Sequence, residues 1–203
     1  MKKVHYISGI LLIVFIAMHL FNHLMSLFGP GEHIYVMDRL RLIYRNVLVE
    51  TLLMAACAVQ IISGIQLIRN RKRQSHSAFD KLQVLTGCYL AGFLVIHLSA
   101  VFGGRLVLHL DTNFYFGAAG LNAFPANLFF IPYYSFAVLA VFGHLACVHQ
   151  KKMRIALFGV SPQRQSLIMV IIGVIITGSI LYGLTDGFKG QEIPKAYHIL
   201  MGK

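Results

Sequence analysis

Two histidines stand at matching places in two long apolar stretches. The first stretch, HYISGILLIVFIAMHLFNH, runs from His5 to His23, and the second runs from Gln83 to Leu98. In the first, Ser8-Gly9 precedes His19-Leu20; in the second, Thr86-Gly87 precedes His97-Leu98. Gly9 lies ten residues before His19, and Gly87 lies ten before His97. Eleven residues of α-helix turn through about 1,100°, or three turns and roughly 20°. Ser8 therefore falls on the face of His19, and Thr86 on the face of His97. Ionisable side chains inside a bilayer are costly and face the bundle interior or a functional cavity. Two neutral imidazoles on two helices can serve as axial ligands of a non-covalent haem. The plainer alternative is interhelical hydrogen bonding that glues the helices together. Two histidines in one repeated context favour ligation. No C-x-x-C-H occurs, which excludes covalent haem attachment of the c type.

Other residues gather around this pair. His23 is one helical turn beyond His19, with Asn22 beside it. The i, i+4 pair could hold a metal ion, but no Glu-x-x-His or His-Glu-x-x-His pattern accompanies it. His23 fits better at the outer rim, bonded to a haem propionate, a quinone or water, or simply placed at the interface. Glu50 could pass a proton between a quinone and outside water, or pair with Arg45 or Arg105. Arg105, two turns beyond His97, could hold a propionate or snorkel to the surface. His144 could be an inner haem ligand only with a partner opposite it, and the stretch from Gln60 to Gln66 offers no histidine. His149 is expected to be solvated. His5, His33, His76, His109 and His198 fall in ends or connections and carry no pattern.

The elements that must position these residues are apolar. The chain has 203 residues, 57% hydrophobic and 12% charged, with a mean hydropathy of +0.70. Five segments, near 4–28, 46–68, 82–102, 127–149 and 166–185, approach or exceed the roughly 20 residues that cross a bilayer. The expected architecture is one all-α membrane domain over residues 1–203. Met-Lys-Lys before an apolar run resembles a signal peptide. The run is too long for one and Gly29-Pro30-Gly31 is no cleavage site, so a retained first helix is expected. Cys57, Cys88 and Cys147 lie within apolar segments, which argues against a disulfide framework. Ser63-Gly64, Gly173 and Gly178 are expected to mark close helix packing.

The net charge of +11 is distributed as a membrane orientation signal rather than a nucleic-acid surface. Lys2 and Lys3, the basic 2–3 connection RNRKRQSHSAFDK, and Lys151, Lys152, Arg154 and Arg164 would lie inside. The 1–2 and 3–4 connections and the C-terminus would then lie outside. Arg39, Arg41 and Arg45 in the 1–2 connection weaken that contrast. With this orientation His19 and His97 are level in the outer half of the membrane, and His144 is in the inner half. The 3–4 connection, GGRLVLHLDTNFYFGAAGLNAFPAN, is long, aromatic and glycine-rich. It is either a lid folded over the outer face or an interfacial loop with its aromatics at headgroup depth.

The pattern resembles the transmembrane cytochrome b subunit of succinate:quinone oxidoreductases, the succinate dehydrogenases and fumarate reductases, in the form with five helices in one chain. The stretch LQ-x-x-TG-x9-H, from Leu82 to His97, is the most specific part of the likeness. The resemblance implies an outer haem b held by His19 and His97, with His144 at the position of the inner ligand on the fourth helix. The inner ligand of the second helix is missing, and Gln60, Ser63 or Gln66 stands in its neighbourhood. The expectation is one haem b, electron exchange with a quinone, and a bacterial-type cytoplasmic membrane. Flavoprotein and iron–sulfur partners would stand at the cytoplasmic face and carry the dicarboxylate chemistry. The other reading is a haem-free anchor, or a small-molecule carrier, that retained the fold.

Overall fold

The computed structural model describes residues 1–70 and 77–202. His76 and most of the basic charge of the 2–3 connection lie outside the described residues. Of the described residues 81% are helical, and none of them forms a strand. In chain order the helices are α1 (Lys2–Leu24), α2 (Pro30–Tyr44), α3 (Val47–Arg69), α4 (Ala78–Leu106), α5 (Phe114–Ala118), α6 (Asn127–Lys152) and α7 (Pro162–Leu184). Of these, α1 (with the 3₁₀ turn Met25–Phe28), α3, α4, α6 and α7 are long and apolar enough to cross a membrane. They are the five segments expected from hydropathy.

Local chemistry sets where these helices begin. The Asn46 side chain accepts from the Leu48 amide and caps α3. Ser77 and Asp80 form a reciprocal capping box on α4, which satisfies two otherwise unpaired amides. Ser161 accepts from the Arg164 amide, and Pro162 occupies the first turn of α7, where its missing N–H costs nothing. At the same end of the bundle Lys151 of α6 pairs with Asp80 of α4 at 2.5 Å.

The long helices close a ring. α1 packs on α3, α3 on α4, α4 on α6, and α6 on α7. α7 returns to α1 and to the turn Met25–Phe28. α1 and α4 flank α3 but make almost no direct backbone contact. The side chains they send inward therefore meet across a gap. The tightest seam is between α6 and α7, where a Cβ on Gly173 would stand 2.6 Å from the Cβ of Phe142. A Cβ on Gly64 would meet only the His5 ring, at 3.5 Å, and one on Gly178 would meet open space. The close-packing expectation holds for Gly173 and fails for Gly178.

Two connections are more structured than hydropathy suggests. The 1–2 connection is the helix α2, which buries His33 and Met37 one turn apart. The 3–4 connection folds into α5 and a following 3₁₀ turn. It buries Phe114, Ala118, Ala119 and Leu121 against Ile180, Leu184, Ile193 and Tyr197. This small apolar core caps one end of the bundle, as the lid reading expects. All three cysteines are free; Cys57 and Cys147 are buried and Cys88 is exposed.

Candidate functional site: a histidine cluster under a helical cap

His19 and His97 meet inside the ring. Their ring centroids are 6.1 Å apart and their planes lie at 70°. Each ring is stacked by a phenylalanine one turn earlier on its own helix. Phe15 lies on His19 at 5.6 Å and 18°, and Phe93 lies on His97 at 5.1 Å and 13°. The repeated pattern is thus longer than hydroxyl, glycine and histidine. A Phe-x-x-x-His-Leu unit closes both copies, and it was visible in the sequence. The stacking fixes both rings against apolar walls and leaves their edges for polar partners.

Two further histidines join the pair. His23 approaches His19 with 3.3 Å between their Nε2 atoms. The His33 ring lies 5.4 Å from that of His23, and Asn22 Nδ2 donates to His33 Nε2 at 3.2 Å. Phe114 of the cap packs edge-on against His33 at 5.3 Å. His33 carries no pattern in the sequence because its segment reads as a connection. Only its place one turn before Met37 and two before Arg41 marks it as facing inward. Burial pushes the His33 imidazole down to about 4, and the charges of His19 and Arg41 push the same way.

The cluster is under-satisfied. Asn22 Oδ1, His23 Nδ1 and His33 Nδ1 are buried without a hydrogen-bond partner. Among the described residues His97 has ring contacts but no side-chain hydrogen bond. Buried polar atoms are nearly always paired, so this concentration of orphans on α1 and α2 fits a polar group received beside the cluster. A haem fits the donor set. His19 and His97 would be the residues to hold it. His23 competes for the His19 Nε2, so ligation through His19 requires that contact to open. A bare ion fits less well: among the described residues no group of three or more His, Cys, Asp or Glu is arranged to hold a metal.

The end of the bundle away from the cap is arranged differently. His5 Nδ1 meets Ser63 Oγ at 2.9 Å, and Gln60 Nε2 donates to His5 Nε2 at 3.3 Å. Ser8 Oγ donates to Gln60 Oε1 at 2.6 Å. Gln60 and Ser63 of α3 are thus spent on direct bonds to α1. Thr86 Oγ1 and His144 Nδ1 lie 3.2 Å apart, and a Cβ on Gly87 would come within 3.3 Å of that ring. Ser8 and Thr86 therefore serve the end away from the cap and bond to neither His19 nor His97. His5 was also passed over, since only its distance from the expected site marked it. His149, expected in solvent, meets Gln165 Oε1 at 2.7 Å.

Glu50 and Arg105 form an ion pair with each other, and the Arg105 guanidinium also lies 5.6 Å over Phe102. The pair joins α3 to α4 at the capped end. A groove of about 390 Å³ opens between α4 and α6, lined by Cys88, Tyr89, Gly92, Phe93, Phe129 and Tyr133 among others. Phe93 forms its wall and at the same time stacks on His97. Comparison with protein-family models, curated proteins and solved structures gives no match, so the likeness to the cytochrome b subunits rests on the residues themselves.

Proposed function

We propose that this chain is a one-haem membrane cytochrome b that exchanges electrons between a lipid-soluble quinone and a redox partner. The observation that carries this reading is the His19–His97 pair, which faces across a gap between helices that barely touch. Haem b would supply reversible one-electron chemistry there, at a potential tuned by its axial ligands and its burial. His19 and His97 would hold it, and Phe15 and Phe93 would keep both rings in a dry, apolar frame. His23, His33 and Asn22 would offer polar contacts at its rim. The groove behind Phe93 would bring a flat, lipid-soluble ring within one aromatic layer of His97. Glu50 and Asn22 are the candidates for handling protons on that side, with Arg105 poised to exchange Glu50 for a propionate. By the resemblance, flavoprotein and iron–sulfur subunits would dock at the cytoplasmic face of a bacterial-type inner membrane.

The inner half supports one haem rather than two. Gln60, Ser63, His5 and Ser8 already bond to one another across α1 and α3, which leaves His144 without an opposing ligand on α3. The test is a pyridine haemochrome assay on the purified chain, expected to give one haem b per chain. A value of two would show an inner site, and a colourless protein would favour the haem-free anchor or carrier.

A further inference from the structure

A basic pocket of about 380 Å³ lies at the capped end, outside the histidine cluster, lined by Arg45, Arg105, His109, Leu110 and Asp111. Its carboxylates are largely taken. Asp111 binds Arg41 at 2.8 Å and stands 3.9 Å from Arg45, while Glu50 is paired with Arg105. Arg45 keeps one close partner, the Thr112 hydroxyl at 3.0 Å, so most of its five N–H donors remain free. Burial presses the Arg45 guanidinium below its ordinary range. The charges of Arg41 and Arg105 press further in the same direction, against the pull of Asp111. The field at Arg45 is therefore net positive.

The flank of the pocket is apolar and open. Val47 and Leu48, which follow Arg45 into α3, are 80% and 81% exposed. Leu106 and Val107, which follow Arg105 out of α4, are 66% and 73% exposed. A cationic recess bordered by bare aliphatic side chains at the mouth of two spanning helices suits an anionic head with hydrocarbon tails. Basic pockets between membrane helices bind phospholipid head groups in this way, and guanidinium planes match phosphate oxygens two at a time. The site would also account for Arg45, one of the arginines of the 1–2 connection that run against the charge asymmetry of the rest of the chain.

We propose that this pocket binds the phosphate of an anionic membrane phospholipid, with Arg45 and His109 as its principal contacts and the acyl chains lying along Val47, Leu48 and Leu106. The inference does not rest on haem binding, although Arg105 borders both proposed sites.

The full chain, stripped of native lipid, is placed in nanodiscs of mixed phosphatidylglycerol and phosphatidylcholine. The lipid that co-elutes after detergent extraction is then measured by mass spectrometry. The wild type is expected to enrich phosphatidylglycerol, and Arg45→Gln is expected to cut that preference about fivefold, the weight of one basic side chain at a lipid surface. His109→Gln is expected to lower it less and serves if Arg45→Gln does not fold. Arg39→Gln should change nothing, because Arg39 lies over Tyr35 and outside the pocket. An unchanged preference in both pocket variants would overturn the proposal. So would equal thermal stabilisation of the lipid-free protein by inorganic phosphate, which would mark a soluble-anion site.

Discussion

His33 is 2% exposed on a helix outside the spanning segments, and what faces it makes it sensitive to acid. Asn22 and His23 approach from α1, Phe114 from α5, and the charge of Arg41 acts from its own helix. With its pKa lowered from 6.5 to about 4, the folded protein holds His33 neutral while an unfolded chain would protonate it. Its contribution is therefore intact above pH 6.5 and is lost as the pH falls towards 4, by roughly 3 kcal/mol in total. The melting temperature of the detergent-solubilised protein should fall more between pH 7 and pH 4.5 in the wild type than in His33→Gln. Equal falls would mean that His33 is not the group under strain. Gln60 makes a second case at this scale. Gln60→Leu removes the bonds to Ser8 and His5; Ser8 keeps its bonds to backbone carbonyls and the half-buried His5 loses one partner, at about 0.5–1.5 kcal/mol. Because these bonds lie at the end away from the cap, the variant should melt earlier yet keep the spectrum of the proposed His19–His97 site; a lost spectrum would place that site wrongly.

At the scale of elements, what was legible followed the strength of the periodic or hydropathic signal. Five spanning helices declared themselves through length and apolarity, and Ser77 and Ser161 mark the starts of two of them. The facing of His19 and His97 followed from their matching contexts. α2 was hidden because it has only a narrow buried stripe, His33 and Met37, on an otherwise charged surface. Its Pro-Gly start also reads as a turn. The inner network was hidden because Gln60 and Ser63 are unremarkable in an apolar helix until His5 is seen opposite them. The turn Met25–Phe28 ties α2 to the bundle by pressing on α7. A Cβ on Gly183 would stand 2.2 Å from Ser26 Oγ and 2.7 Å from the Ser26 carbonyl carbon. Backbone cannot step aside as a side-chain tip can, so Gly183→Ala should cost about 1–3 kcal/mol through overpacking. It should also weaken the outer site, because the same turn leads into the helix that carries His33. Unaltered stability and spectrum would show that the turn is not fixed by this contact.

At the scale of the molecule, the ring of five helices, the capped end and the facing imidazoles are the frame on which the proposed membrane cytochrome is built. Orientation is a separate claim that rests on charge. Labelling of single engineered cysteines in intact cells should reach position 113, in the cap, and not position 76, in the basic connection. The reverse result would invert the molecule and put the histidine cluster on the cytoplasmic side. The central claim is that His19 and His97 hold a low-spin haem. It is tested most directly by comparing the absorption spectra of the wild type, His19→Ala, His97→Ala and His144→Ala. The account predicts a dithionite-sensitive low-spin spectrum in the wild type and in His144→Ala. In the other two it predicts loss of haem or conversion to high spin. Loss of the spectrum in His144→Ala with a normal low-spin spectrum in His19→Ala would contradict it.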